Sequence, residues 1–233
     1  MKIALVVPLD FTAVLCCKEW IKDLEARSDG DLVVIGEHDA NTDEYSEVLQ
    51  SWGVNFERVP MARHISPWRD ILYTRALYKL FAAHKFDVVL NTCTKPNIFG
   101  SIAAKIAGVK HIQCSVWGRG TAYLEDVSFK RKLLKVTLDI LYRLAFSLAT
   151  CIWFTNKNDM KYFSEKGIVD SRKTILTKNY IDVEKYSPRT LTGVKKDKLM
   201  SELGLSSNDK VAISVGRMIW PKGVKEFVEA AVL

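Results

Sequence analysis

The sequence predicts an α/β protein with a doubly wound parallel sheet, because short apolar runs alternate along the chain with amphipathic segments. Ile3–Leu9 is a continuous apolar run with β-branched residues, which is typical of a strand buried on both faces of such a sheet. After it, Val14, Cys17 and Ile21 recur three or four residues apart, a spacing that marks one face of a helix. Strand and helix in this order begin a βαβ unit.

The same alternation continues to residue 177 and predicts a larger sheet. Further strands are predicted at 31–36, 54–59, 87–92, 110–116, 151–154 and 173–177, and helices at 45–52, 71–84, 96–107, 129–147 and 157–166. The residues expected to face the core from two of these helices are Leu72, Leu77, Leu80, Phe81, Ile98, Ile102 and Ile106. Ligands of such sheets bind beyond the carboxyl ends of the strands, so we expect the chemistry in the loops after Leu9, Thr92, Val116 and Phe154.

The domain organisation predicted from the sequence is one complete domain at 1–183, a linker at 184–209, and the start of a second domain at 210–233. The linker combines proline, glycine and serine with a basic run and has room for one short helix. Val211–Val215 is predicted to be the first strand of the second domain, and a helix is predicted to begin at Phe227. Because a parallel strand–helix unit needs a second strand, we expect a C-terminally truncated form of a two-domain protein.

Composition restricts the class of partner. With 48% hydrophobic and 26% charged residues, the chain can bury a core without stabilisation by disulfide bonds or metal ions. Its net charge of +7 suits nucleic acid, an anionic membrane or phosphorylated small molecules. Nucleic acid is not expected as a partner, because charge alone favours it and clustered aromatic residues are lacking.

Cysteine usage and hydropathy favour a cytoplasmic location. The five cysteines form no Cys-x-x-Cys pair and accompany no histidine cluster, which favours a reducing compartment and argues against structural zinc. The N-terminal apolar run ends at Pro8 and Asp10, too early for a signal peptide. No stretch reaches the roughly 18 apolar residues that a membrane span requires.

A basic turn near the C-terminus is a candidate diphosphate site. Gly216 and Arg217 follow the predicted strand, and Lys222 lies in a Pro-Lys-Gly turn before a helix. Arginine offers a forked contact and lysine a compact charge, and the start of a helix favours anions as well. The alternative is a solvated basic turn.

Two loops of the first domain are candidate acceptor-binding elements. Lys95 follows a predicted strand at the start of a helix, with Asn97 beside it, where it could hold a phosphate or a sugar hydroxyl. Gly118 and Gly120 flank Arg119 in a loop after a strand, and glycines let the backbone approach a ligand closely. The alternatives are a surface lysine near a helix cap and a plain tight turn. Binding of NAD is not expected, because the loop after the first strand has no glycine.

Three segments resemble glycosyltransferase family 4. The interdomain motif Gly-Val-Asp-x-x-x-Phe-x-Pro is matched within NYIDVEKYSP by Asp182, Tyr186 and Pro188, although Tyr180 replaces the glycine. The stretch VGRMIWPKGVKEFVEAA resembles the donor-domain motif of that family. The stretch KPNIFGSIAAKIAGVKHIQCSVWGRGTAY resembles its bacterial subgroup that extends polyprenyl-diphosphate-linked oligosaccharides.

This resemblance implies a GT-B fold and retaining transfer from a nucleoside-diphosphate sugar to a lipid-linked saccharide, with no metal or other cofactor. It implies donor-diphosphate contacts for Gly216, Arg217 and Lys222, and acceptor contacts for Lys95, Asn97 and the 118–120 loop. Members often carry a histidine or an acidic residue in the acceptor site, but this sequence has Thr94-Lys95, so the catalytic residue stays unassigned. A hexosyltransferase of this family is expected, although this truncated chain alone is expected to be inactive. An alternative function is a catalytically inactive fragment that binds only acceptor or membrane.

The predicted helix 129–147 is a candidate membrane contact. It carries five basic residues among leucines: Lys130, Arg131, Lys132, Lys135 and Arg143. A basic amphipathic helix can lie on an anionic membrane, which would place the protein on the inner face of the cytoplasmic membrane. The alternative is a surface helix with a solvated basic face.

Overall fold

The computed structural model describes residues 1–28, 31–38, 44–123, 128–178, 183–184, 187, 193–206, 208–216, 218 and 220–231. The chain divides into two compact units, residues 1–180 and 181–233, each of which is described by itself.

The first unit alternates strands with helices. Its strands are β1 (Ile3–Leu9), β2 (Leu32–Glu37), β3 (Asn55–Arg58), β4 (Val88–Thr92), β5 (His111–Val116), β6 (Cys151–Phe154) and β7 (Thr174–Leu176). Its helices are α1 (Asp10–Cys16), α2 (Lys18–Ser28), α3 (Glu44–Ser51), α4 (Pro67–His84), α5 (Ser101–Ile106), α6 (Phe129–Leu148) and α7 (Lys157–Glu165). A π turn, Pro96–Gly100, precedes α5, and short 3₁₀ turns lie at Thr121–Tyr123 and Ser171–Lys173.

The seven strands form one parallel sheet in the order β3-β2-β1-β4-β5-β6-β7. The chain first builds outward from β1 to β3 and then returns to β4 on the other side of β1. This reversal creates a topological switch point between the carboxyl ends of β1 and β4, where parallel α/β sheets commonly bind ligands. The predicted doubly wound parallel sheet is therefore confirmed.

Two apolar cores cover the two faces of the sheet. Ala4 and Val6 of β1 face the core that includes Phe81 of α4 and Tyr142 of α6. The intervening residues of β1 face the other core, to which Ile21 of α2 contributes. Burying one such side chain contributes roughly 1.5–3 kcal/mol, which explains why β1 is apolar at successive positions.

Two features of the predicted helices are wrong. The amphipathic segment after β1 is two helices that break at Cys17, and the expected core residues Leu72 and Ile106 are exposed. The buried face of α4 runs through Tyr73, Leu77 and Phe81, one position away from Leu72. A π turn contains an extra residue, so it shifts the buried face before it reaches Ile106.

The second unit contains α8 (Gly193–Glu202), a 3₁₀ turn at Trp220–Lys222, and α9 (Val224–Ala230). The strand predicted at Val211–Val215 is not formed, and Val211, Ile213 and Val215 are 60%, 80% and 89% exposed. A parallel strand is stabilised by ladder hydrogen bonds to a neighbour, and no strand follows Leu176 in the part of the chain that the structure describes.

Candidate functional site

Polar side chains collect at the carboxyl edge of the sheet in three places. The β1–β2 cluster consists of Asp10, His38 and Ser46. The β4 cluster consists of Lys95 and Asp70. The β5 cluster is built around Arg119 and Asp159, together with Tyr123, Asp139 and Tyr162. These are the strand ends at which the sequence predicts chemistry, and each cluster joins residues from different elements.

The β1–β2 cluster is centred on a fully buried carboxylate. Oδ2 of Asp10 lies 2.6 Å from Nδ1 of His38 and accepts a hydrogen bond from the Ser46 hydroxyl at 3.2 Å. The other carboxylate oxygen accepts the Phe11 backbone N–H at 2.7 Å. Burial of a carboxylate is costly unless it is hydrogen-bonded, and these contacts satisfy that requirement. The cluster unites the strand ends of β1 and β2 with α3.

The end of β4 has an unusual backbone. Cys93 has a φ of +64°, a left-handed conformation that non-glycine residues adopt rarely and at a cost of about 1–3 kcal/mol. Its N–H donates to the Ser115 carbonyl at 3.2 Å, which ties the turn to β5. Burial raises the pKa of the Cys93 thiol to about 12, so the protonated form is favoured at neutral pH.

The β4 cluster changes the role expected for Lys95. Its ammonium donates to Oδ1 of Asp70 at 2.5 Å and to the His64 carbonyl at 2.7 Å, and its side chain is only 12% exposed. Lys95 thus braces the turn after β4 against the start of α4. An ammonium has three hydrogens, so contact with an acceptor through the third hydrogen stays a prediction.

Asn97 lies inside the protein and links two elements. It is fully buried, and its amide donates to the Ser115 carbonyl at 2.9 Å, so it joins the π turn to β5. Its side chain has no exposed surface in this structure, and the expected acceptor contact stays a prediction. Gly100 in the same turn is required for packing, because a Cβ there would overlap Oδ1 of the buried Asn91.

The Gly118–Gly120 loop presents a firmly held guanidinium. Nε of Arg119 donates to Oδ1 of Asp159 at 2.7 Å, and its guanidinium carbon lies 4.7 Å from the ring centre of Tyr162. Asp159 is in turn held by Asn156, which caps α7. Gly120 has a φ of +81°, which explains the glycine at that position. The loop is therefore a preorganised turn with a cation at its tip.

Two tyrosines beside Arg119 share one carboxylate. Tyr123 donates to Asp139 at 2.7 Å and Tyr162 donates to its other oxygen at 3.0 Å. Burial and then the hydrogen bond to Asp139 raise the pKa of Tyr162 to about 12 and that of Tyr123 still further above its usual value. Lys135 lies 5.3 Å from the Tyr162 ring centre, so this lysine belongs to the site and not to the outer face of α6.

Helix α6 exposes an apolar row along its outer face. The exposed residues are Phe129, Leu133, Val136, Ile140 and Leu144. At 100° per residue these positions form one stripe, with Lys130 on one side of it and Lys132 on the other. Both lysines are exposed. Among the described residues, no helix has the length and hydropathy needed to cross a bilayer.

The candidate donor residues are described only in part. Gly216 is exposed, and a Cβ on it would meet no atom within 4 Å. Lys222 is exposed in the 3₁₀ turn before α9. Arg217 lies outside the described residues, as do Asp182, Tyr186 and Pro188 of the interdomain motif. Their predicted roles stay predictions.

Reasoning from the sequence missed Asp10, His38 and Asp159. A usable signal existed for the first two, because each directly follows the strand of a parallel sheet. Their pairing could not be seen, since they are 28 residues apart in the chain.

Comparison with protein families adds a match over residues 14–179 to the glycosyl transferase 4-like domain. This region contains all three clusters except Asp10. The chain belongs to the glycosyl transferase 4-like family. The family assignment confirms the resemblance noted from the motifs.

Two curated relatives are similar to this glycosyl transferase 4-like chain. It is 26% identical over 214 residues to the N,N'-diacetylbacillosaminyl-diphospho-undecaprenol alpha-1,3-N-acetylgalactosaminyltransferase of Campylobacter jejuni, covering 91% of the chain and 55% of the relative. It is 33% identical over 172 residues to the UDP-Gal:alpha-D-GlcNAc-diphosphoundecaprenol alpha-1,3-galactosyltransferase of Escherichia coli, covering 73% of the chain and 42% of the relative. The chain thus spans about half the length of these relatives.

Solved structures share the fold. A glycosyltransferase from Rickettsia africae superposes with a TM-score of 0.69 at 15% identity, over 99% of this chain and 56% of the other. The S. aureus MnaA structure with UDP gives a TM-score of 0.56 at 18% identity, over 88% of this chain and 52% of the other. These likenesses confirm a GT-B-type α/β fold for the glycosyl transferase 4-like chain.

Proposed function

We propose that this chain supplies the acceptor-side domain of an enzyme that transfers a sugar from a nucleoside-diphosphate sugar to a lipid-linked saccharide. The proposal rests on one observation, that two kinds of surface occur together in the first unit. The carboxyl edge of the sheet has polar clusters suited to a saccharide and a phosphate, and α6 has an exposed apolar row flanked by lysines. A lipid-linked saccharide needs a surface of each kind.

The names of the two curated relatives support this class of acceptor. Both are transferases named for a saccharide attached to undecaprenol through a diphosphate. In this chain Arg119 would contact the acceptor, because its guanidinium is held at the tip of a loop and retains further N–H donors. Lys95 and the backbone at Gly118 and Gly120 complete the proposed acceptor side.

On the donor side we propose that Gly216, Arg217 and Lys222 bind the diphosphate of the sugar nucleotide. Positive charges there would stabilise the charge that develops on the leaving diphosphate as the glycosidic bond breaks. The proposed reaction retains the anomeric configuration, since the names of both relatives specify an alpha linkage, and a sugar nucleotide with an alpha linkage would be its donor. The proposal includes no metal or other cofactor.

The proposed place of action is the inner face of the cytoplasmic membrane, in the synthesis of a surface polysaccharide such as capsule or lipopolysaccharide. The apolar row of α6 would enter the interface between head groups and acyl chains, and Lys130 and Lys132 would meet anionic lipid. The exposed apolar row favours this proposal over a merely solvated basic face, which would need no such row.

Vesicle binding and turnover together test the proposal. The chain is sedimented with vesicles rich in phosphatidylglycerol, and compared with a Leu133→Gln/Val136→Gln/Ile140→Gln variant. We expect the variant to lose most of the bound fraction, whereas Ile175→Gln, an exposed isoleucine on β7, should bind normally. Equal binding of all three proteins would contradict the proposed membrane contact of α6.

The same vesicles distinguish an enzyme from the alternative, a fragment that binds the acceptor without transferring a sugar to it. They are loaded with undecaprenyl-diphosphate N-acetylglucosamine and supplied with radiolabelled UDP-sugars. Incorporation of label by the 233-residue chain supports the enzyme. Acceptor-dependent binding without incorporation supports the fragment, and absence of both contradicts the proposed acceptor side.

A further inference from the structure

We propose that the outer face of α4 is a second membrane contact, in which Trp68 enters the bilayer interface and Arg75 and Lys79 meet anionic head groups. This inference rests on the proposed function, which has a lipid-linked acceptor, and adds to it a surface that neither the motifs nor the family resemblance indicates. The contact proposed above is α6, so the two surfaces can be tested separately.

The outer face of α4 begins with large apolar side chains that are exposed. Trp68 is 70% exposed, and Ile71 and Leu72 are exposed as well. At about 100° per residue these three lie together on the side of the helix opposite to the buried Leu77. Ile65, in the loop that leads into α4, is also exposed. An exposed apolar patch of this kind indicates a contact with a protein or a membrane.

The charge around this patch favours an anionic partner. Residues 59–86 include five basic residues and a single acidic residue. That residue, Asp70, is buried and pairs with Lys95, so it does not place a carboxylate at the surface. Arg75 and Lys79 continue the outer face of α4, are exposed, and pair with no acidic residue in the part of the chain that the structure describes. Apolar residues next to unpaired cations complement anionic head groups above acyl chains.

The side chains themselves suit a bilayer better than a second copy of the chain. Tryptophan has a large apolar ring and an N–H donor, and it is enriched at membrane–water interfaces. The aliphatic stems of Arg75 and Lys79 can lie along apolar surface while their charged ends reach the head groups. A symmetric dimer through this face would bring the same cations of two copies together, and like charges oppose such an interface.

Helix α4 faces the same side of the sheet as α6. Both helices pack on the core that Ala4 and Val6 of β1 face, so their outer faces point away from the same face of the sheet. Because the seven strands are parallel, both helices also begin at the carboxyl edge. A single bilayer can therefore contact both surfaces. Two contacts would hold the loops of that edge, including Gly118–Gly120, at a fixed height above the lipid.

Quenching of tryptophan fluorescence by lipid tests this contact on the complete chain. The vesicles contain equal parts of phosphatidylglycerol and phosphatidylcholine, with acyl chains brominated near the head group, because bromine quenches indoles that enter the bilayer. Trp220, which is 75% exposed in the second unit, is the matched control for Trp68. We expect the wild type to be quenched, Trp68→Phe to lose most of that quenching, and Trp220→Phe to keep it.

Two charge variants test the basic part of the face. Arg75→Gln/Lys79→Gln removes two positive charges from α4 at a spacing of four residues. Lys18→Gln/Lys22→Gln removes two exposed charges at the same spacing from α2, which packs on the opposite face of the sheet. Sedimentation with the same vesicles should show binding about 10-fold weaker for the α4 variant, and a change of about 2-fold or less for the α2 variant.

The other outcomes overturn the α4 contact in different ways. If the wild type binds vesicles and Trp68→Phe is quenched as strongly as the wild type, the α4 contact is absent while the α6 contact and the proposed function stand. Equal losses in the two charge variants would mean that only net charge matters. Absence of vesicle binding by the wild type would contradict the α6 contact as well. Self-association without lipid that Trp68→Gln abolishes, measured by analytical ultracentrifugation, would assign the face to a second copy.

Discussion

Ile3–Val7 and Val211–Val215 are two runs of five residues with closely similar apolar and β-branched composition, yet only the first forms a strand. The first run is completely covered, with β2 on one side, β4 on the other, and a core on each face. The second run is exposed and is not paired with any strand in the described part of the chain. The comparison shows that an apolar run supplies the capacity for a strand, while neighbouring strands supply the hydrogen bonds and the burial.

The strongest way to test this contrast is a matched pair of phenylalanines on helices. Phe81 of α4 is fully buried, whereas Phe227 of α9 is 40% exposed. Phe81→Ala should lower the free energy of unfolding by about 3–5 kcal/mol, because it removes buried surface and leaves a cavity. Phe227→Ala should cost less than about 1 kcal/mol. Urea denaturation followed by tryptophan fluorescence measures both, and similar costs would contradict the contrast.

A pair of glycines tests the same contrast with a smaller expected change in stability. The space available for an added Cβ differs clearly between the two positions. A Cβ on Gly100 would overlap the buried Asn91 side chain, whereas a Cβ on Gly216 would meet no atom within 4 Å. Gly100→Ala should therefore cost about 1–3 kcal/mol of stability, and Gly216→Ala should be neutral. Thermal unfolding of the two variants checks this. A neutral Gly100→Ala would mean that the π turn can move away from β4.

The smallest expected effect concerns pH and the hydrogen-bonded tyrosines of the first unit. The folded pKa of Tyr162 is raised to about 12, first by burial and then by its hydrogen bond to Asp139. A raised pKa stabilises the protonated form, so this contribution is complete below the unfolded value of about 10 and is lost as the pH rises from about 10 to 12. Ultraviolet titration of tyrosinate should show one fewer late-ionising tyrosine in Tyr162→Phe than in the wild type. Ionisation of this tyrosine near pH 10 would place its hydroxyl in solvent.

The sheet could be predicted largely from the sequence because its signal is local. Strands buried on both faces are continuous apolar runs, so β1 and β6 were located to the residue. The breaks at Cys17 and in the π turn could not be located, because helical periodicity continues across them. Leu72 shows the same limit, since it is apolar but lies one position outside the buried face of α4.

In the candidate site, too, some features could be predicted from the sequence and others could not. The Gly118–Gly120 loop could be predicted, because a glycine at a positive φ after a strand is a local requirement. Lys95 and Asn97 were found as polar residues at a strand end, but their contacts with Asp70 and the Ser115 carbonyl were not foreseeable. Asp10 and His38 were missed altogether.

By itself, the sequence determined the alternation of strands and helices, the parallel sheet, the edge at which polar residues collect, and the family. These follow from periodicity and from residue types within short windows. Only the tertiary structure decided that Lys95 is braced by Asp70, that Asp10 holds His38, and that Val211–Val215 stays exposed. The physical reason is that hydrogen bonds, ion pairs and burial are properties of neighbours in space, and these neighbours are 25 and 28 residues apart for the first two pairs.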